Sequence, residues 1–247
     1  MKWQLKGTTM QFLSTEIEPG EVITSESGKM MYMSDNINMD TKAKGGVGSS
    51  LKRTLAGQSF FLVDYEAKGG SGLITFASKF PGKIIPLDLD EDETIIAQKE
   101  AFLCSKEGTL DMSFTKNIGA GFLGGEGIVL VRLDGPGQTF LNVGGEIEKI
   151  DLKEDEKLRI DTGCLAAFDD HMEYSVDRIK GVKNIFFGGK GLFVATIEGP
   201  GRVWIQSMPI EELAGVIGKH IGGSDSGNSS SSASEAAGSA IGSLLKK

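Results

Sequence analysis

Asp134-Gly135-Pro136-Gly137-Gln138-Thr139-Phe140-Leu141 is answered 64 residues later by Glu198-Gly199-Pro200-Gly201-Arg202-Val203-Trp204-Ile205. The same offset carries Gly124-Gly125-Glu126-Gly127-Ile128 onto Gly188-Gly189-Lys190-Gly191-Leu192. Upstream, Asp88-Leu89-Asp90-Glu91-Asp92-Glu93 matches Asp151-Leu152-Lys153-Glu154-Asp155-Glu156 at an offset of 63. A weaker copy precedes both. Glu21-Val22-Ile23 answers Glu93-Thr94-Ile95, and Phe80-Pro81-Gly82-Lys83-Ile84 answers Val143-Gly144-Gly145-Glu146-Ile147. Gly69-Gly70-Ser71-Gly72 stands where Asp134-Gly135-Pro136-Gly137 does. Self-similarity of this kind marks a repeated supersecondary unit. The expectation is three similar units, residues 1–86, 87–150 and 151–220, with a tail from 221 to 247.

Each unit reads as β. Gly127-Ile128-Val129-Leu130-Val131-Arg132-Leu133, Gly191-Leu192-Phe193-Val194-Ala195-Thr196-Ile197 and Ser59-Phe60-Phe61-Leu62-Val63-Asp64-Tyr65 are β-branched and apolar runs. Such runs favour a pleated surface. The 35 glycines fall mainly between the runs, where tight turns often need positive φ. Helical periodicity is clear only in Ile210-Glu211-Glu212-Leu213-Ala214-Gly215-Val216-Ile217, just after Pro209. The predicted fold is therefore all-β with one short C-terminal helix. A unit of about 60 residues would be marginal alone. Three fused units share cores, and their pseudo-symmetry favours a homo-oligomer, a trimer or larger ring.

From Gly222 to Gly242 the chain is almost entirely Gly, Ser, Ala, Asp, Asn and Glu, which predicts a flexible tail. It closes on a short apolar and basic tip, Ala240-Ile241-Gly242-Ser243-Leu244-Leu245-Lys246-Lys247. With 34 acidic and 26 basic side chains the net charge is −8, so general nucleic-acid binding is disfavoured. No apolar run approaches the ~20 residues of a membrane-spanning helix. The opening Met1-Lys2-Trp3-Gln4-Leu5-Lys6 lacks the apolar stretch of a signal peptide. Two cysteines, Cys104 and Cys164, make no disulfide framework. The expected location is a reducing cytoplasm.

Three strings carry a family resemblance. They are Gly57-Gln58-Ser59-Phe60-Phe61, Phe76-Ala77-Ser78-Lys79-Phe80-Pro81-Gly82-Lys83-Ile84 and Gly199-Pro200-Gly201-Arg202-Val203-Trp204-Ile205-Gln206-Ser207-Met208-Pro209. In order and over roughly residues 1–215, the chain resembles the AIM24 family. That family includes bacterial proteins and a mitochondrial member tied to inner-membrane organisation. The resemblance implies a β-sandwich of the double-stranded β-helix type, similar to the subunit of the tryptophan RNA-binding attenuator protein (TRAP), three times over. It implies no reaction, and fold likeness does not carry function. One departure is Lys190, where an acid like Glu126 is expected.

No set of residues completes a catalytic motif. Gly119-Ala120-Gly121-Phe122-Leu123-Gly124 fits G-x-G-x-x-G but precedes a strand, whereas a dinucleotide site needs it to open a helix. Ser49-Ser50-Leu51-Lys52 lacks the companion motifs of a β-lactamase-type site. Asp88–Glu93 fails as an EF-hand, because Glu93 and Lys99 occupy the places of the required glycine and acid. Cys104, Cys164, His171 and His220 lack zinc-ligand spacing, so the thiols read as core residues. In Asp169-Asp170-His171-Met172-Glu173 a histidine stands among acids with no nucleophile elbow nearby. Lys42, Lys44, Lys52 and Arg53 flank the glycine-rich Gly45–Ser50. They form the one basic cluster, a candidate contact for an acidic partner, RNA or an anionic lipid surface. The expectation is a non-enzymatic oligomeric scaffold or adaptor without cofactor or metal. The expected partner is a protein, with peripheral association at a membrane surface. The alternative is a small-ligand or RNA-binding module.

Overall fold

The computed structural model describes residues 2–40, 62–106, 109–111, 129–178 and 193–221. The chain divides into a β body, Met1–Ile210, and a unit that begins at Glu211. The body opens with β1 (Trp3–Lys6). Six strands follow: β2 (Phe12–Ile17), β3 (Val22–Glu26), β4 (Met30–Met33), β5 (Ile37–Asp40), β6 (Leu62–Ala67) and β7 (Gly72–Ala77). The next six are β8 (Gly82–Leu89), β9 (Thr94–Gln98), β10 (Phe102–Lys106), β11 (Thr109–Asp111), β12 (Leu130–Asp134) and β13 (Gly137–Gly144). The last six are β14 (Ile147–Leu152), β15 (Lys157–Asp161), β16 (Leu165–Asp169), β17 (Glu173–Arg178), β18 (Phe193–Glu198) and β19 (Gly201–Gln206).

All of these pairings are antiparallel, and one scheme recurs in each group of six. The first strand pairs with the sixth, in β2–β7, β8–β13 and β14–β19. The second pairs with the fifth, in β3–β6, β9–β12 and β15–β18. The fourth also pairs with the fifth, and the third with the sixth. In each group the third strand shifts register at the same place, between Met30 and Tyr32, Phe102 and Cys104, and Leu165 and Ala167.

The turn between first and second strands also recurs. Glu21, Glu93 and Glu156 each accept a hydrogen bond at their side chain from the amide three residues earlier, at 2.9, 3.0 and 2.8 Å. The acid-rich stretches noticed in sequence are therefore turns inside a group. For that reason the limits expected at 86/87 and 150/151 fall within β8 and β14.

Two further pairings join the groups. β10 lies against β3, with Cys104 opposite Ser25, and β16 lies against β9, with Ala167 opposite Ala97. Two six-stranded sheets result, β5-β6-β3-β10-β13-β8 and β11-β12-β9-β16-β19-β14. A four-stranded sheet, β1-β2-β7-β4, and a three-stranded sheet, β15-β18-β17, complete the body.

The cores follow the same interleaving. The first group's core, around Leu13, Ile23, Tyr65 and Phe76, also takes in Leu103, Cys104 and Phe140. The second group's core, around Leu87, Ile95, Phe102 and Leu141, takes in Ala166, Ala167 and Trp204. The third is built around Ile160, Phe168, Ile197 and Val203. Six consecutive residues of β13, Thr139–Gly144, are buried on both faces, as expected of a strand covered on each side.

The helix predicted at Ile210 is present as α1 (Ile210–Ile221) and runs one turn past the expected end. Glu211 and Glu212 stand in its first turn, where negative charge suits the helix dipole. Among the described residues no helix is long and apolar enough to cross a membrane.

Candidate functional site

Several residues singled out in sequence lie outside the described residues. They are Lys42, Lys44, Lys52 and Arg53, the strings at Gly45–Ser50, Ser49–Lys52 and Gly119–Gly124, Glu126, Lys190, and the tail from 222 onward. Others are given ordinary surroundings. Cys104 is a free thiol in the first core, and burial pushes its pKa up, which keeps it protonated and inert. Cys164, read in sequence as a core residue, is not in a disulfide and is only partly buried, packed against the third core. His171 lies at the surface, its Nε2 3.1 Å from the Pro200 carbonyl oxygen. Its neighbours Asp169 and Asp170 turn to arginines. Asp88 accepts from Gln138 Nε2 at 2.5 Å, and Glu93 closes its turn.

Polar groups far apart in sequence meet along the two joins between strand groups, beside pairs inside a group such as Ser14–Thr75 and Thr24–Asp64. At the β3–β10 join, Ser25 Oγ donates to the Leu103 carbonyl at 2.7 Å, and Lys106 pairs with Glu21. Lys29 is only 6% exposed. Its ammonium donates to Asn142 Oδ1 at 2.9 Å and to the Glu100 carbonyl at 3.3 Å, with Glu26 at 3.7 Å. Burial holds this ammonium below the usual lysine range, and Glu26 opposes the shift. At the β9–β16 join, Asp169 accepts from Arg202 Nη2 at 2.8 Å and from the Arg202 amide at 2.7 Å. Arg202 Nη2 also reaches Glu93 at 3.1 Å. Arg132 ties Asp170 to Asp134, at 2.7 and 2.8 Å. Gln98 Nε2 donates to the Thr162 carbonyl at 2.8 Å. Glu21 and Glu93 hold the same place in their turns, and each is answered across its join, by Lys106 and by Arg202.

This gives a pH dependence with a definite sign. The Lys106 ammonium beside Glu21 holds its carboxyl below the ordinary 4.5. A carboxyl lowered in the folded state contributes fully above its unfolded pKa, and the contribution is lost as pH falls through the folded value. Glu21→Gln is expected to flatten the loss of stability between about pH 5 and the lowered value, read as urea midpoints across that range. A variant whose midpoints fall as steeply as the parent's would show that the pair adds nothing.

Among the described residues the joins also have two uncovered counterparts. β3 and β9 are covered by β10 and β16, but β15, the equivalent strand of the third group, ends its sheet. Likewise β10 and β16 are covered on both edges, while β4 ends its sheet. Side-chain exposure follows. Leu103 and Ala166 are each 0% exposed, and Met31, one residue before the end of the same register shift, is 57% exposed. Cys104 and Ala167 are each 1% exposed, and Tyr32 is 43% exposed. Met10, Met39 and Leu73 of the first group are exposed as well. Sequence reading passed over Met30-Met31-Tyr32-Met33. Its signal is four successive apolar residues in a strand without the alternation of a half-buried edge.

Comparison with known proteins agrees with this architecture. A family model described as Mitochondrial biogenesis AIM24 matches residues 3–208. The uncharacterized protein M6_Spy0233 of Streptococcus pyogenes serotype M6 is 27% identical over 228 residues, covering 88% of this chain and 90% of its own length. The crystal structure of protein SPYM3_0169 from Streptococcus pyogenes matches with a TM-score of 0.73 at 24% identity, over 89% of this chain and 99% of that one. That likeness is one of fold.

Proposed function

This chain belongs to the AIM24 family, and on that premise we propose that it is a non-enzymatic β scaffold or adaptor, built of three tandem repeats and assembled from several copies. The observation that carries the reading is the strand scheme found three times, with the same join used twice inside one chain. The repeats begin with β8 and β14 and are of the TRAP-like, double-stranded β-helix type. The polar clusters described above satisfy one another across the joins, which suits a structural role. Cys104 and Cys164 form no disulfide, which suits a reducing cytoplasm. The partners are protein assemblies, including those at a membrane surface.

Self-association follows from the exposed apolar strand β4. Although β4 is only four residues long and carries a register shift, its unpaired backbone groups and exposed Met31 and Tyr32 offer an edge that another chain can cover. Native mass spectrometry of the full chain is expected to give a multiple of 26.3 kDa with no further mass. Met31→Lys places a charge on the edge and is expected to shift that assembly to single chains while leaving the circular dichroism spectrum unchanged. A parent protein that is monomeric at micromolar concentration, or that carries a reproducible small-molecule mass, would overturn the scaffold reading.

A further inference from the structure

We propose that the strand covering β4 is β15 of a second copy, laid antiparallel with Tyr32 opposite Ile160 and Met33 opposite Arg159. This rests on the self-association reading above and names its partner strand and register.

The register comes from the two joins inside the chain. Val22–Glu66, Thr94–Asp134 and Lys157–Glu198 are the first pairs of the three equivalent hairpins. Ser25, Ala97 and Ile160 are then fourth in their strands. Across the joins, Ser25 faces Cys104 and Ala97 faces Ala167. Cys104 and Ala167 are the first residues after the register shift of their strands, and Tyr32 is the first after the same shift in β4. Applying the rule a third time puts Tyr32 opposite Ile160. The next pairs, Ser105–Thr24 and Phe168–Ile96, put Met33 opposite Arg159.

The cores support the same pairing. Leu103, Cys104 and Phe140 enter the first core, and Ala166, Ala167 and Trp204 enter the second. Among the described residues the third core receives no equivalent set. Met31, Tyr32 and Thr75 hold the matching positions in the first group. Thr75 stands where Phe140 and Trp204 supply aromatic rings, and Tyr32 on the neighbouring strand supplies one instead. Among the described residues β4 and β15 end different sheets and do not pair with each other within the chain, so the proposed pairing joins two molecules. A contact between unlike strands is head-to-tail and propagates into a ring if the rotation closes. It also differs from the inner joins in chemistry. The positions of Lys106 and Arg202 are taken by Ser34 and Leu73, so Glu156 meets no basic side chain from the strands facing it. The assembly is therefore expected to withstand high salt.

The test is a double variant, Met33→Cys and Arg159→Cys, in a Cys164→Ser background, treated with a short bismaleimide. Arg159 is exposed and Met33 only partly buried, so both sites tolerate the change. The expected result is a covalent ladder reaching the chain number found by native mass spectrometry, with neither single variant linked. An intact oligomer in which Met33→Cys alone becomes linked would mean β4 pairs with β4. An intact oligomer with no link in any variant would mean that another surface is used. Either outcome overturns the pairing and leaves self-association standing. A monomeric parent overturns both. Hydrogen exchange on the unmodified protein gives an independent reading. Protection of β4 and β15 amides is expected to rise together with protein concentration, and a rise in only one strand, or in neither, counts against the pairing.

Discussion

Trp204→Ala is expected to lower the unfolding free energy by about 3–5 kcal/mol, the range for removing a large buried aromatic. Trp204 is carried by β19, in the third group, yet its ring fills the second group's core beside Ala166 and Ala167. The Arg202 guanidinium lies 5.4 Å from that ring, and Arg202 is also the link to Asp169 and Glu93. Truncation therefore opens a cavity at a join and removes the platform under its ion network. Urea unfolding followed by circular dichroism measures the loss. The third group is expected to unfold first, splitting one transition into two. A cost under about 1 kcal/mol would mean that neighbouring side chains collapse into the space.

Gly144→Ala is expected to cost about 3 kcal/mol, at the upper end for overpacking a tight site. Gly144 ends β13 and lies against the segment leaving β19. A Cβ there would stand 1.9 Å from the Met208 carbonyl oxygen, a backbone atom with nowhere to rotate. Relief requires the two segments to part. Their separation breaks the bond from the Gly144 amide to Gln206 Oε1, at 2.9 Å, and that from the Met208 amide to the Gly144 carbonyl, at 3.1 Å. Gly215 in α1 is the contrast. Nothing lies within 4 Å of its added Cβ, so Gly215→Ala is expected to gain about 0.5–1 kcal/mol of helix stability. Thermal melts of the two variants should move in opposite directions.

What could be read from sequence was local. Gly-Pro-Gly at Gly135–Gly137 and Gly199–Gly201 marks the turn between fifth and sixth strands in two groups, β12 to β13 and β18 to β19. Cys104 was legible as a core thiol because it stands in an apolar strand. Ile210 was legible as a helix start because the apolar spacing changes period after Pro209. The joins were not legible. Ser25 and Leu103 are 78 residues apart, and Lys106 and Glu21 are 85 apart, so only the folded pairing brings them together. The ion networks hide for a second reason. Lys106 and Asp169 hold equivalent positions in their strands with opposite charge, and Gln138 and Arg202 differ as well, so comparing the strand groups side by side shows mismatch at the places where each join is locked. β4 went unnoticed because Met30-Met31-Tyr32-Met33 has the apolar content of a core strand and none of the polar alternation of a surface one.

The interleaved joins set an order on biosynthesis. β3 stays bare until β10 has been made, and the chain between Glu26 and Lys106 takes about 4–16 s to synthesise at about 5–20 residues per second. β9 waits in turn for β16. A nascent first group therefore spends seconds beside the ribosome with an open strand edge of the kind that a neighbouring nascent chain on the same message can occupy. Slow codons placed before β10 would lengthen that interval and raise the yield of entangled or aggregated product, while fast translation through residues 80–106 would suppress it.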